Sequence, residues 1–400
     1  MQKKIMLLGG NYFQMTATKA AKELGHYVIS VDYLPDNPAH KYADEYHNVS
    51  TTDKEAVLAL ARELNIDGIV SYASDVSAPT AAYVAEKIGL PTNPLKSVEI
   101  LTNKQKFRDF LYNNGFNVPN GRVFEDYDSA KAYYKAIQGS SIIIKPTDSS
   151  GSKGVHKIQS VEEFDMAWHD AQKYSRNHQI FLEQYIEKQG YEIDADSFWL
   201  GDKFVFFGVM DQHNDLQCNP YVPVGLSIPS VLSLKRREIA EIELTKLMRL
   251  LNMRFGACNI EYIFDKQDNL YILEVGPRNG GNLITDTIKY ACGVDLAKYT
   301  IKAALGESCD DLKLEEYCCC ASSFILHTPI TGKYKGLWIS DEIKKDIFHL
   351  DIFVKQGDVV QKFDNADMAI GAAIIRFSDI KEMCSCMDNM DKYIKVLVTD

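Results

Sequence analysis

The stretch NIEYIFDKQDNLYILEVGPRNGG, residues 259–281, contains two apolar segments joined by the polar turn KQDN. Glu261 lies in the first segment and Glu274 ends the second, thirteen positions further on. Antiparallel strands joined by such a turn bring facing side chains together in pairs. Two carboxylates on an apolar surface repel each other unless a cation lies between them, and oxygen ligands of this kind suit Mg²⁺. The pair therefore predicts a magnesium site, with two surface-facing strand acids as the alternative.

A second informative stretch is IIIKPTDSSGSKGV, residues 142–155. Lys145 ends an apolar strand, where a lysine is costly to bury unless an anion contacts it. The Ser- and Gly-rich loop that follows offers backbone N–H groups that suit phosphate oxygens. It is not a P-loop, because Lys153 is followed by Gly154 and not by Ser or Thr. A solvated hairpin explains the loop but not Lys145, so the stretch favours a phosphate-binding site.

Composition excludes some classes of protein. The chain is 46% hydrophobic and 25% charged, as in ordinary globular enzymes, and its net charge of −11 argues against nucleic-acid binding. No apolar run approaches the roughly 18 residues that span a bilayer, and the start, MQKKIMLLGGNYF, is typical of a first strand rather than a signal peptide. The nine scattered cysteines predict a reducing cytoplasm. Cys318 to Cys320, and Cys384 with Cys386, lack C-x-x-C spacing, so we interpret them as small apolar residues in strands.

Strand and helix patterns alternate over the first ninety residues, which predicts a parallel sheet with helices on both faces. The segment LPTNP, residues 90–94, then interrupts the pattern and indicates a boundary. Helices are predicted over TNKQKFRDFLYNNG and near residues 128–137, strands over residues 141–145 and over QIFLEQYI, and a hairpin at Gly201 and Asp202. The last ninety residues indicate a small α+β unit. The predicted fold class is therefore α/β and α+β, with several domains.

Gly9 and Gly10 follow the first predicted strand, and Asp32 ends the second. A dinucleotide-binding fold places its phosphate turn and ribose-binding acid at such positions. The G-x-G-x-x-G pattern is absent, however, since the run reads GGNYFQ. A tight turn without a ligand is an equally good interpretation.

Other polar residues give weaker signals. Glu192, Asp194 and Asp196 alternate along one face of a predicted strand, where they are either functional or solvated. His213 falls in the polar segment VMDQHND, and we interpret it as a surface residue.

The order of these motifs resembles that of ATP-grasp enzymes of the carboxylate–amine ligase type. The motifs are a lysine on the helix after residue 102, then KPTDSSGSKGV, LEQYI, YEIDAD, NIEYIFD and LEVGPRNGG. The resemblance covers most of the chain and implies a pre-ATP-grasp, Rossmann-like α/β domain over residues 1–93. A two-lobed ATP-grasp domain would follow over residues 94–306, with its nucleotide lobe at about 94–185 and its metal and substrate lobe at about 186–306. Residues 307–400 would form a small C-terminal α+β domain.

The resemblance also implies cofactors and site residues. ATP and Mg²⁺ are expected, with Mn²⁺ as an alternative ion. Glu261 and Glu274 would bind the metal, Arg278 would face the transferring phosphoryl group as a catalytic residue, and Lys145 would be both catalytic and nucleotide-binding. The adenine hinge would be Glu183 to Ile186, with the Glu183 side chain or nearby backbone contacting the base. The other expected nucleotide-binding residues are Lys104, Ser149, Ser150, Gly151, Ser152, Gly154, Gln184, Tyr185 and, at the ribose, Glu192.

One position departs from the family pattern. Gly276 lies where family members commonly have an asparagine that binds metal, and Asn279 or Asn282 would have to replace it. By the same resemblance, NPYVPVGLSIPS, residues 219–230, lines the acceptor side.

The expected function is an ATP-dependent ligase that activates a carboxylate as an acyl phosphate for attack by an amine, with release of ADP and phosphate. Alternatives are a bicarbonate-activating carboxylase or carbamoyl-phosphate-type enzyme of the same fold, an NAD-dependent oxidoreductase and a non-catalytic nucleotide-binding module. The expected partners are a small carboxylate, an amine and a second copy of the chain in a homodimer.

Overall fold

The computed structural model describes residues 2–137, 141–149, 151–313 and 316–399. The first module is built on a parallel four-stranded sheet in the order β3-β2-β1-β4. Asp53 accepts a hydrogen bond from Ala56 N and begins the second helix, as its sequence predicts. The elements of this module are β1 (Lys4–Leu8), α1 (Met15–Glu23), β2 (Tyr27–Val31), β3 (Glu45–His47), α2 (Lys54–Leu64), β4 (Gly68–Ser71) and α3 (Ala78–Ile88).

The second module carries the Ser- and Gly-rich loop between two strands of an antiparallel sheet in the order β5-β8-β6-β7. Two helices cover one side of this sheet, where Phe164 and Trp168 are fully buried. The elements are α4 (Leu95–Leu101), α5 (Lys104–Asn113), β5 (Gly121–Phe124), α6 (Tyr127–Ala136), β6 (Ile142–Pro146), β7 (His156–Ile158), α7 (Val161–Tyr174) and β8 (Ile180–Gln184).

The largest sheet has eight strands and carries the predicted acids. The elements from residue 192 to residue 304 are β9 (Glu192–Leu200), β10 (Lys203–Asn214), β11 (Pro223–Ile228), α8 (Leu234–Leu250), β12 (Phe255–Phe264), β13 (Leu270–Gly276), α9 (Ile284–Cys292) and α10 (Leu296–Ala304). The elements that follow are β14 (Cys320–Leu326), β15 (Gly332–Ile339), α11 (Asp341–Lys344), β16 (Ile347–Ile352), β17 (Val359–Val360), β18 (Gly371–Phe377), α12 (Ile380–Met387) and β19 (Ile394–Thr399).

The strand order of this sheet is β13-β12-β9-β10-β11-β14-β18-β16, and β17, β15 and β19 form a separate three-stranded sheet. Strands from the C-terminal ninety residues therefore continue the sheet that carries the acids. The domain boundaries at 93/94 and 306/307 stay predictions.

Apolar residues on both faces of the parallel sheet hold the first module in place. Ile5 and Leu7 pack towards α1 and α10, whereas Met6 and Leu8 pack towards α2 and α3. Helix α10 follows β13 and α9 in the chain, so the first module shares its core with a helix from a much later segment.

The cysteines are all free thiols, but their placement differs from the prediction in part. Cys320 begins β14, whereas Cys318 and Cys319 precede the strand and Cys384 and Cys386 lie in helix α12, so a strand is wrong for these four. None of the helices described is long and apolar enough to cross a membrane.

Candidate active site

Three neighbouring strands carry a row of carboxylates. The register of β12 and β13 places Glu261 opposite Glu274, and the register of β12 and β9 places Glu261 opposite Asp194. The pairing of the two glutamates expected from the hairpin is therefore present in the structure, while their metal role stays a prediction. Asp194 and Asp196 are buried, so the solvated interpretation is wrong for both.

Burial and repulsion raise the pKa of two carboxyl groups in this row. Burial, followed by the charges of Glu274 and Asp194, raises the pKa of Glu261 well above its usual range. Burial, followed by the charge of Asp196, raises the pKa of Asp194 to about 8. A divalent cation among these oxygens would remove the repulsion, and an all-oxygen donor set of carboxylates suits Mg²⁺. The residues present therefore fit the metal that the sequence predicts.

Lys145 is the last residue but one of β6 and is buried against the carboxylate of Glu183 from β8. Arg108 from α5 approaches the same carboxylate, with its Nε 3.0 Å from Glu183 Oε2. Burial alone would raise the pKa of Glu183, but the charges of Arg108 and Lys145 lower it to about 2. In the free protein, the anion that Lys145 contacts is thus Glu183.

Lys104 connects the loop after β6 to the carboxylate row. Its Nζ donates to the carbonyl oxygen of Ser149 at 2.7 Å and lies 3.1 Å from Oε2 of Glu274. Asn103 accepts a hydrogen bond from Lys106 N, which fixes the start of α5 and so the position of Lys104.

The loop after β6 is held across the cleft by contacts with later parts of the chain. Ser152 Oγ donates to the carbonyl oxygen of Tyr221 at 2.8 Å, and Lys153 Nζ lies 2.7 Å from Asp367 Oδ2. Gly154 does not line the cleft, because it packs against α7, where an added Cβ would lie 2.9 Å from Ala171 Cα. Ser150 lies outside the described residues.

Arg278 is held by two modules at once. Its Nε donates to Asp75 Oδ1 at 2.8 Å and its Nη2 to Asp75 Oδ2 at 2.5 Å, while Nη1 donates to Asn259 Oδ1 at 2.9 Å. Asp75 follows β4 of the first module, so the parallel sheet supplies the partner of the predicted catalytic arginine.

Gly276 makes room for this arrangement. A Cβ at residue 276 would lie 2.6 Å from Asp75 Oδ1 and 2.9 Å from the guanidinium carbon of Arg278. Asn279 is fully buried and its amide contacts Asp196 and Thr300, so it does not replace the family asparagine, whereas Asn282 lines the cleft.

The turn after β1 is closed by side chains. Asp32 Oδ2 accepts hydrogen bonds from Gly10 N at 2.8 Å and Asn37 Nδ2 at 2.7 Å. The imidazole of His40 lies where a Cβ on Gly10 would be, 2.1 Å away. These contacts favour a tight turn over a dinucleotide site.

A single cleft of about 1720 Å³ joins these groups. Twelve of the predicted residues besides Arg278 line it, and they come from the second module and the largest sheet, while Asp32 and Asp75 of the first module also line it. They are Lys104, Lys145, Ser149, Gly151, Ser152, Glu183, Gln184, Tyr185, Ile186, Glu192, Glu261 and Glu274.

A family model described as "Carbamoyl-phosphate synthase L chain, ATP binding domain" matches residues 103–312, which is more than half of the chain. The chain belongs to this ATP-grasp family. The predictions of an ATP-grasp protein and of its mixed α/β, multidomain fold are thereby confirmed.

The carbamoyl phosphate synthase large chain of Ralstonia nicotianae is 24% identical over 335 residues, which cover 78% of this chain and 30% of that one. Other relatives are also covered over less than two thirds of their length, at 58% and 48%. Among solved structures, L-amino acid ligase from Bacillus licheniformis has a TM-score of 0.82 at 19% identity, with 100% of this chain and 99% of that chain covered. The biotin carboxylase domain of 2-oxoglutarate carboxylase from Hydrogenobacter thermophilus, solved with MgADP and bicarbonate, has a TM-score of 0.74 at 19% identity, with 100% and 92% covered.

Several residues of this ATP-grasp site were not identified from the sequence. Asp75 and Asn259 contact Arg278, and Arg108 contacts Glu183. Asp75 follows a parallel strand, and functional residues often lie at such positions. Its place in the sequence could therefore have indicated a role in the site. His213, interpreted as a surface residue, is buried within β10, so that interpretation is wrong.

Proposed function

We propose that this protein is an ATP-dependent ligase that phosphorylates a carboxylate and joins the acyl group to an amine, with release of ADP and phosphate. The observation that carries the proposal is the single cleft in which Lys104, Lys145 and Arg278 face the row of Asp194, Glu261 and Glu274. Cations on one side and metal-type oxygen donors on the other are what phosphoryl transfer requires.

The nucleotide would lie between the two modules that flank the loop after β6. Lys104 and Lys145 would contact its phosphates, and backbone N–H groups of the loop would cover them. Lys145 would then exchange part of its contact with Glu183 for phosphate oxygens. Because Arg108 and Lys145 occupy the carboxylate of Glu183, we assign adenine recognition to the backbone of Gln184 to Ile186, with Glu192 at the ribose.

Glu261 and Glu274 would hold Mg²⁺, or Mn²⁺ as the alternative ion with the same oxygen preference. When bound, the ion would neutralise charge on the phosphate oxygens. Asp194 lies beside Glu261 in the row and would hold either a proton or a share of the cation's charge.

A carboxylate is a poor electrophile at neutral pH, and phosphorylation gives it a good leaving group. The attacking carboxylate oxygen would bond to the γ-phosphorus while the bond to ADP breaks. Arg278 would then stabilise negative charge as the amine adds to the acyl carbon and phosphate leaves. The loop after β6, which already contacts Tyr221 and Asp367, would keep water from the acyl phosphate.

Bicarbonate is the second candidate for the activated group. The observation in its favour is the likeness to a carboxylase domain that was solved with bicarbonate. Bicarbonate is also a carboxylate-type oxygen nucleophile, so the same cleft would phosphorylate it.

The test is release of ADP and phosphate from ATP, screened over bicarbonate and over pairs of amino acids and other carboxylates and amines. The carboxylate should carry one ¹⁸O atom into the released phosphate, because its oxygen attacks the γ-phosphorus. Label found in AMP would instead show an acyl-adenylate, and release that depends on bicarbonate alone would favour the second candidate.

We also propose the modules 1–93, 94–306 and 307–400 as its domains and the cytoplasm as its location, with a homodimer as its assembly. The nine free thiols support a reducing compartment.

A further inference from the structure

The loop after β10 brings an acid and a thiol together. Cys218 N donates to the carbonyl oxygen of Asp215 at 3.2 Å, and Gln217 N donates to Asp215 Oδ1 at 2.8 Å. The turn leaves Asp215 Oδ2 3.5 Å from Cys218 Sγ. Two ligands separated by two residues in a tight turn are typical of zinc sites in proteins.

His327, just after β14, completes a group of three. Its Nδ1 lies 2.6 Å from the carbonyl oxygen of Ile325, which can only accept, so Nδ1 carries a proton. In its neutral form the ring presents the lone pair of Nε2, and this atom lies 3.0 Å from Asp215 Oδ2. Phe324 and Phe363 pack against the ring and fix its orientation. A lone pair that faces a carboxylate requires a positive charge between them, either a proton or a metal ion.

The three side chains lie close enough together to share one metal ion. One ligand atom from each of Asp215, Cys218 and His327 lies within 4.8 Å of the other two. Zinc bonds of about 2.0–2.3 Å place neighbouring tetrahedral ligands about 3.3–3.8 Å apart. A mixed set of sulfur, nitrogen and oxygen donors suits Zn²⁺ and related transition metals rather than Mg²⁺.

We propose that Asp215, Cys218 and His327 form a site for a divalent transition metal ion of the zinc type, separate from the carboxylate row. Three protein ligands leave a fourth coordination position. Asp215 and His327 both line the cleft, so the fourth position opens towards it. The site joins the β10–β11 loop to the end of β14, and β11 pairs with β14 in the sheet. The nearest charged neighbours, Lys362 and Asp364, lie 4.0 Å apart and largely offset each other.

The experiment measures zinc binding to the full chain after reduction and removal of metals with a chelator. We expect about one Zn²⁺ per chain in equilibrium dialysis, with release of the Cys218 proton on binding. Co²⁺ should give a thiolate-to-cobalt charge-transfer band and the strong visible absorption of a tetrahedral ion. Cys218→Ser should abolish the charge-transfer band, and Asp215→Asn and His327→Gln should weaken zinc binding at least about tenfold. Asp215→Asn is the variant least able to disturb folding, because an amide oxygen still accepts from Gln217 N.

Cys309→Ser is the matched control, because Cys309 is also a buried thiol that contacts a backbone carbonyl. It should bind zinc as the unaltered chain does. The proposal is overturned if Cys218→Ser and Asp215→Asn bind zinc with unchanged affinity, since the metal would then lie on other thiols such as the Cys318 to Cys320 run. It is equally overturned if the unaltered chain binds no zinc while Asp215→Asn and His327→Gln lower the melting temperature, because a simple ion pair would then account for the geometry.

Discussion

At the scale of single residues, Glu274 offers the most direct test of the proposed metal site. Glu274→Gln keeps the shape of the side chain but removes one anionic oxygen ligand, so ATP-dependent phosphate release should fall by at least about 100-fold. The fold should persist, because the change also relieves repulsion with Glu261. Steady-state phosphate release and circular dichroism measure the two effects.

The matched control is Glu187→Gln, since Glu187 is an exposed glutamate with a lysine partner, Lys266. It should keep full turnover. Near-normal turnover in Glu274→Gln would show that Glu274 does not bind the metal.

Asp194 should make the metal-free protein less stable as pH rises. Its pKa is about 8 in the folded state and about 3.9 in an unfolded chain, so the folded state holds more protons between these values. Stability therefore decreases from about pH 4 to about pH 8. Asp194→Asn removes this loss while keeping an oxygen that accepts from Asn259 Nδ2. The gain in melting temperature of Asp194→Asn over the unaltered protein should grow across this range and then level off.

Asp202→Asn provides the comparison, because Asp202 lies exposed in the turn after β9. Its difference from the unaltered protein should stay constant with pH. If the gain in melting temperature of Asp194→Asn also stays constant with pH, Asp194 is ionised in the folded state over the whole range.

The sequence predicted residues that local geometry brings together and missed those that only the complete fold does. Glu261 and Glu274 are thirteen positions apart across one turn, so two strand patterns and the turn between them were enough to predict that the two acids meet. Asp75 and Arg278 are 203 positions apart, and no local pattern connects them. Glu183 was placed at the nucleotide hinge, but its partner Arg108 lies on a helix 75 positions earlier.

At the scale of elements, the loop after β6 is the part whose movement matters most. It is held in part by the exposed pair of Lys153 and Asp367, and exposed pairs contribute only about 0–1 kcal/mol. Asp367→Asn should therefore increase amide exchange at residues 151–155 by a few-fold in the free protein. ATP with Mg²⁺ should slow exchange there in both proteins, because bound phosphates would order the loop.

Asp364→Asn is the control for this measurement, since Asp364 is a neighbouring exposed acid whose partner is Lys362 rather than the loop. It should leave exchange at residues 151–155 unchanged. Exchange that is identical with and without nucleotide would argue against a closing loop.

Long elements with clear periodicity and turns were the ones predicted well. Helix α5, the hairpin of β9 and β10, and that of β12 and β13 all lie where the pattern placed them. Strands β3 and β17, with three and two residues, are too short to show the alternation of apolar and polar residues that predicts a strand. Cys384 and Cys386 were assigned to strands from composition, but Asp379 caps a helix there by accepting from Glu382 N.

At the scale of the whole molecule, the contact of Asp75 with Arg278 connects the parallel sheet to the largest sheet. Gly276→Ala should lower the melting temperature in the unaltered chain, because its Cβ would lie 2.6 Å from Asp75 Oδ1. In an Asp75→Ala background Gly276→Ala should lower the melting temperature by less, since Arg278 can then move away. The double-mutant cycle measures this coupling.

Gly201→Ala in the turn after β9 serves as the reference, because a Cβ there meets nothing within 4 Å although its φ of +69° imposes strain. Gly201→Ala should lower the melting temperature by the same amount with and without Asp75. If the effects of the Gly276 and Asp75 changes on the melting temperature are additive, the small size of Gly276 is not what makes room for Asp75.

Strand β11 pairs with β10 on one edge and with β14 on the other, so the wall of the cleft and the C-terminal segment share one hydrogen-bond ladder. A chimera that takes a relative's chain from residue 307 onward would set a foreign β14 against the native Gly225 to Ile228, and truncation there would leave an open edge prone to aggregation. An exchange of the cleft-lining segment 219–230 between relatives would therefore have to move the C-terminal strands with it.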